Sequence, residues 1–332
     1  MQTERIHWID ITRGIAIIFV IYAHVLGNQG IRYLFYAFHM PLFFFISGVL
    51  FRKDDGFLTV VKKSAKSLII PYFILAWFFY VWWVLSNGSS FFNPAIITQF
   101  WGIFYGNSNN GMLAFNDVLW FLPTLFVTRV MFAALTKISL KTGLLALTLL
   151  LFSIFGYALS VFGPDVKLPF GFETALSGIV FYGAGFLWYR GQSAKKMILG
   201  HKRLIFPAFL LIMILLATID FHNFGRQIDM RLNNLNNYFF FYVDAFLGIF
   251  SWLSFALMLN RNVLLEAFGR YSLVLFAWHP FVFKYLNDYI LNLITAVKTL
   301  IPAIYTIITV SVILFANSIY ENLRKKIFFR PS

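Results

Sequence analysis

The sequence has no cysteine, few charges and none of the spacings that hold metals or nucleotides. Without Cys there is no disulfide, no thiolate metal site and no acyl-cysteine intermediate. Asp, Glu, Lys and Arg supply only 12% of the 332 residues, too little to clothe a soluble domain of this length. No HxxxH-type pair or carboxylate cluster offers a metal set, so no metal is expected. No glycine-rich phosphate loop is present. The N-terminal apolar run has no small-residue cleavage site, so it is expected to stay on the chain rather than be removed as a leader.

What is present is apolar: 60% hydrophobic residues and 20% aromatic ones. Apolar runs of about 20 residues recur along the whole chain, as membrane-crossing helices require. The expectation is an all-α polytopic membrane protein, a single membrane-embedded domain over 1–332. Its ten spans are expected near 13–27, 33–51, 67–86, 118–135, 142–162, 174–189, 204–219, 238–259, 271–291 and 300–319. The stretch 91–105, interrupted by Pro94, is too short to span and is expected at the interface or as a re-entrant segment.

The formal charge of +14 could suggest nucleic acid, but its distribution excludes that partner. Of 27 Lys and Arg, 20 fall in the N-terminal segment, the C-terminal segment and alternate connectors between them. Six (Arg32, Lys167, Arg226, Arg231, Lys284 and Lys298) fall on the opposite side, and Arg129 lies within a span. By the positive-inside rule both termini are expected to be cytoplasmic. The outward connectors 87–117 and 220–237 are rich in Asn and aromatics. Such groups suit a sugar-facing surface, and equally a merely solvated loop.

The first span carries a polar stripe. Asp10, Arg13 and His24 are ionisable groups on an apolar helix, where charge is costly and usually faces a bundle interior or a wet cavity. At about 100° per residue the eleven-residue step from Arg13 to His24 returns to the same face, and at about 1.5 Å per residue it spans roughly 16 Å. A neutral imidazole at membrane depth can take a proton from a hydroxyl, so His24 is a candidate general base; the competing reading is a histidine bonded to a neighbouring span for packing. Arg13 is too far away to act on the same atom. It reads either as an anion site at the cytoplasmic face or as an anchor paired with Asp10. A base and an anion site so separated suit a long donor with a phosphorylated head, the shape of an acyl-coenzyme A.

Other candidates are spread along the chain. Lys62, Lys63 and Lys66 precede Ile70-Pro71-Tyr72 and could contact phosphates or only fix topology. Ser47 and Gly48 sit near the end of the second span, where Gly48 lets helices approach. His39 opens that span, and His279 precedes Pro280 in the ninth, where a kink is expected. Asp244 in the eighth span could orient a histidine or bind an acceptor hydroxyl. Asp117 and Arg129 are further polar positions at and within the fourth.

These residues fall in recognisable segments. RIHWIDITRGIAIIFVIYAH, with ten residues between Arg13 and His24, is similar to the first-span signature of the integral-membrane acyltransferase-3 family. FHMPLFFFISGVLF (38–51) resembles its second-span motif, in the fucose 4-O-acetylase-like branch, and LWFLPTLF (119–126) and GRYSLVLFAWHPF (269–281) resemble later motifs. The resemblance implies transfer of an acyl group, most often acetyl, from cytoplasmic acyl-CoA to a hydroxyl of an extracytoplasmic or lipid-linked glycan. It makes His24 the base, with Arg13 and Asp10 as required partners. Arg13, Lys62, Lys63, Lys66 and Tyr72 fall on the acetyl-CoA side, and His39, Trp120, Asp244 and His279 on the acceptor side. Some relatives have Arg where this chain has Lys, and lysine lacks the bidentate fork. A C-terminal hydrolase-like domain, present in some relatives, is not expected here, so transfer would be completed in the membrane domain. An acyl-histidine intermediate is left open. The alternative reading is a glycan exporter or flippase, which needs no acyl donor.

Overall fold

The computed structural model describes residues 6–26, 28–87, 93–109, 111–138, 141–225, 227–290, 306–311, 313–314 and 317–318. Among them the protein is α-helical, with one isolated bridge, Asp229–Asn234, and no strand. In chain order the helices are α1 (His7–Val25), α2 (Gln29–Tyr36), α3 (His39–Val49), α4 (Phe57–Ser64), α5 (Ile70–Asn87), α6 (Pro94–Tyr105), α7 (Phe121–Lys137), α8 (Thr142–Phe162), α9 (Phe172–Arg190), α10 (Gln192–Phe224), α11 (Tyr238–Leu259), α12 (Val263–Arg270) and α13 (Ser272–Ile290).

Seven helices among the described residues are long and apolar enough to cross a membrane. They are not equivalent. The span Pro169–Arg190 is 72% buried inside the protein, against 22% for Thr142–Phe162 and Lys195–Phe224. α9, with α1 and α7, is therefore central, while α8 and α10 turn Leu151, Phe155, Leu211 and Leu215 outward. Exposed apolar surface on that scale is what a lipid-facing belt presents. The protein is an all-α polytopic membrane protein.

Several expected spans take a different form. The stretch 33–51 is two helices, α2 and α3, divided at Ala37 and Phe38. Pro41 explains the break: it has no N–H to donate, and a helix starting at His39 puts it in the first turn, where none is needed. Before α5, Ala65–Ile69 forms a π-helical turn in which Ile70 N–H donates to the Ala65 carbonyl. Pro71 cannot donate to Ser67 and its ring would crowd that carbonyl, and the wider turn makes room for it. The span expected at 204–219 is part of the longer α10, bent at His201. The ninth contains the shorter apolar stretch Ser272–Lys284. The tenth lies largely outside the described residues.

Helices α3 and α9 cross backbone to backbone. A Cβ on Gly48 would lie 1.8 Å from the Tyr182 carbonyl oxygen, and one on Gly185 2.0 Å from that of Phe45. The same arrangement joins α1 to α12, where a Cβ on Gly14 would lie 2.1 Å from Leu265 O and one on Gly269 1.9 Å from Asp10 O. Small residues at these positions fix which side chains emerge beside the contact.

The Asn-rich connectors pack inward rather than forming an open polar surface. Asn107 donates to Glu173 Oε1 at 2.8 Å, Thr174 to the Met230 carbonyl at 2.9 Å, and Asn116 to the Ala277 carbonyl at 2.9 Å. Lys167 Nζ donates to the Leu232 carbonyl at 2.7 Å. Asn107, Asn109, Asn116 and Asn233 are buried. The amides of Asn107, Asn109 and Asn116 tie the connectors to α9, to each other and to α13.

Candidate active site

Two chambers lie along α1, one at each station of its polar stripe. The histidine chamber, about 170 Å³, is lined by His24, His39, Arg32, Tyr36, Trp120 and Arg231 among others. The arginine chamber, about 280 Å³, is lined by Arg13, Arg129, Arg270, Ser47, Ser67 and Ser272 together with aromatic and aliphatic residues. Phe276 borders both. Trp120 faces the first and its neighbour Phe121 the second, so the entry to α7 forms part of the wall between them. The rings of Phe121 and Phe276 lie 5.7 Å apart and complete it.

Three imidazoles gather at the histidine chamber. His24 is exposed to the cavity, while His39 and His279 are buried. The rings of His24 and His279 meet edge to face at 5.0 Å, and Tyr36 lies between His24 and His39, 6.1 Å from one and 5.0 Å from the other. His39 Nδ1 lies 2.6 Å from the Phe35 carbonyl and His279 Nδ1 3.2 Å from that of Leu275. A carbonyl can only accept, so each Nδ1 carries a proton and each neutral ring keeps its lone pair on Nε2. His279 Nε2 is buried without a hydrogen-bond partner. Only His24 thus presents an accessible imidazole to an incoming hydroxyl.

The rest of that chamber is charged. Arg231 Nη1 donates to Asp117 at 2.9 Å and Nη2 to Asp229 at 3.4 Å. The Arg231 backbone is held on both sides, its N–H by Asp229 Oδ1 and its carbonyl by Asn109. Burial pushes the Asp229 carboxyl above the usual range, and Arg231 pulls it back. Arg32 stacks over Tyr36, its guanidinium carbon 5.2 Å from the ring centroid.

The arginine chamber assembles its cations from three helices: Arg13 from α1, Arg129 from α7 and Arg270 from the end of α12. The Gly14–Leu265 and Gly269–Asp10 contacts hold α12 against α1 so that Arg270 reaches the Arg13 chamber. Asn262 caps α12 by accepting from Leu265 N–H. His7 bridges the same pair of helices, bonded to Glu266 at 3.0 Å and accepting from Arg261 at 2.9 Å. That bond to His7 holds the Glu266 carboxyl below its ordinary range. Arg129 Nε is buried without a hydrogen-bond partner. Guanidinium and hydroxyl donors converging on one cavity are the equipment for a phosphorylated ligand.

The residues singled out in the sequence therefore separate. His24, His39 and Trp120 line one chamber and Arg13 the other, while His279 lies behind His24. Lys62, Lys63 and Lys66 line neither: all three are exposed, and Lys63 pairs with Asp55 at 2.8 Å. Tyr72 is buried and donates to the Ile103 carbonyl at 2.7 Å, in the contact between α5 and α6. Asp244 is fully buried on α11, its carboxylate oxygens without a hydrogen-bond partner, and borders neither chamber. Asp10 is buried where α12 crosses α1. Sequence reasoning passed over Arg32, Arg231 and Arg270 as markers of topology. Arg270 has a local signal, its place in the GRYSLVLFAWHPF segment. Arg231 has none, because only the folding of its connector brings it in.

One family model, described as an acyltransferase domain, matches residues 6–321. No curated protein and no solved structure matches the chain.

Proposed function

The chain belongs to the acyltransferase-3 family and is a membrane acyltransferase; we propose that it moves an acyl group, acetyl in our reading, from cytoplasmic acyl-CoA to a hydroxyl of an extracytoplasmic or lipid-linked glycan. The observation that carries this reading is the pair of chambers on α1, a histidine in one and three arginines in the other, with Phe276 between them. The charge distribution of the sequence sets the direction, with the arginine chamber cytoplasmic and the histidine chamber outward, in a bacterial plasma membrane.

The phosphates of acetyl-CoA bind Arg13, Arg129 and Arg270, whose forks match phosphate oxygens. The pantetheine arm passes between Phe121 and Phe276 and brings the thioester towards His24. An acceptor hydroxyl enters from the outer side past Trp120. His24 takes its proton as the oxygen attacks the thioester carbonyl. The C–S bond breaks, the thiolate leaves, and the proton held on His24 returns to sulfur. In this reading transfer is direct, with His24 acting as base and not as nucleophile. His39 and His279 hold fixed tautomers beside it and orient the ring.

Purified protein in lipid vesicles, supplied with labelled acetyl-CoA and glycan acceptors, tests the reading. Wild-type protein should acylate the acceptor, which an exporter would not do. His24→Ala should lower the rate by about 10²–10⁴-fold, the usual contribution of a positioned general base, with unchanged protein abundance and donor binding. Undiminished acylation by that variant would sink the mechanism.

A further inference from the structure

The histidine chamber holds two arginines in different states. Arg231 is bracketed by the carboxylates of Asp117 and Asp229. Arg32 lines the same cavity and makes no ion pair among the described residues; its Nε is buried without a hydrogen-bond partner. Its one defined contact is the face of Tyr36, 5.2 Å from the guanidinium carbon. That contact leaves the Nε–H unsatisfied, and a buried polar group normally has partners. The formal charges of the four ionisable arginines and aspartates in this chamber cancel. They are not evenly placed, since both carboxylates sit on Arg231.

We infer that the acceptor is anionic: the molecule entering the histidine chamber carries a phosphate or carboxylate that pairs with Arg32 while its hydroxyl is presented to His24. The inference deepens the acyl-transfer reading and rests on it for the role of His24, but the anion site stands on Arg32 and Tyr36 alone. A guanidinium that rests on an aromatic face through its carbon keeps its N–H edge available as a fork, the group that binds a carboxylate or phosphate through two parallel bonds. Lysine at this position could supply charge but not the fork. Asp117 and Asp229 define the other side of the chamber and repel an anion there, so the pairing also sets which way round the acceptor lies.

Three small acceptors separate the possibilities: a neutral methyl glucoside, the corresponding methyl glucuronide, and glucose 1-(methyl phosphate). Binding to wild-type protein in vesicles is measured without acetyl-CoA, and acylation with it. The expected result is at least tenfold tighter binding of one or both anionic acceptors than of the neutral one. The phosphate and carboxylate arms identify which group the site takes. Arg32→Gln should collapse this preference to within about twofold, and Arg32→Lys should retain part of it. Tyr36→Phe, which keeps the ring under the guanidinium, should keep the preference, and unchanged binding of acetyl-CoA by each variant shows that it folds. Equal binding of all three acceptors by wild-type protein, or a preference that survives Arg32→Gln, overturns the inference. Anion-selective binding with no acylation of any acceptor would uphold it and overturn the acyl-transfer reading instead.

Discussion

The two chambers share α1, α3 and α13 as walls, yet they are equipped for opposite tasks. The arginine chamber takes cations from three helices and adds serine hydroxyls, with no carboxylate in its lining. The histidine chamber balances Arg32 and Arg231 against Asp117 and Asp229 around an accessible imidazole. A cavity lined chiefly by cations favours a polyanion, through a field that low-dielectric walls concentrate. The histidine chamber instead sets both its carboxylates on Arg231. Placing both along one helix lets a single long donor span them, and the rise of that helix sets the reach it needs.

The largest effect separating the chambers should appear in donor kinetics. Arg13→Ala and Arg129→Ala each remove charge-assisted hydrogen bonds worth about 1.5–3 kcal/mol, so each should raise the donor KM by about 10–150-fold. At saturating acetyl-CoA kcat should fall much less, the reverse of the pattern for His24→Ala. Steady-state kinetics against donor and acceptor in turn checks this. A loss confined to kcat in Arg13→Ala would mean that the two stations act on one atom, and the division would fail.

A smaller effect probes the wall. Phe276 borders both chambers and is 5% exposed. Phe276→Leu keeps most of the buried volume but opens the aromatic partition against Phe121. Water should then reach the thioester, and the ratio of acetyl-CoA hydrolysis to transfer should rise severalfold with little change in donor KM. An unchanged ratio would show that the partition does not shield the reacting bond.

The membrane character and the polar stripe were legible in sequence because both depend on local pattern. Helical periodicity alone puts Arg13 and His24 on one face and apart. Pro41 and Pro71 could have signalled the break before α3 and the π turn before α5, since each lacks a donor where a continuous helix needs one. The chambers themselves were less legible. Arg270 joins Arg13 only because Gly14 and Gly269 let two backbones touch, and Arg231 reaches the histidine chamber through a connector held by Asn109 and Asp229. Contacts between residues more than 100 positions apart leave no periodic trace. The same limit hides that the three clustered lysines lie outside both chamber linings, because proximity in sequence is all that a single chain displays.

Those lysines give the smallest predicted effect and set the outer limit of the arginine chamber. Lys62, Lys63 and Lys66 are exposed, Lys63 is paired with Asp55, and the π turn that contains Lys66 puts Ser67 and Leu68, not the lysines, into the chamber lining. Exposed charges of this kind contribute about 0–1 kcal/mol to an interaction. Changing all three to Gln should therefore shift the donor KM by no more than about fivefold, against the larger rise expected of Arg13→Ala alone. Because the same lysines support topology, protein abundance and orientation in the membrane have to be measured alongside. A tenfold or larger rise in donor KM at normal abundance would extend the donor site along α4 to the membrane surface, and three arginines would no longer suffice to define it.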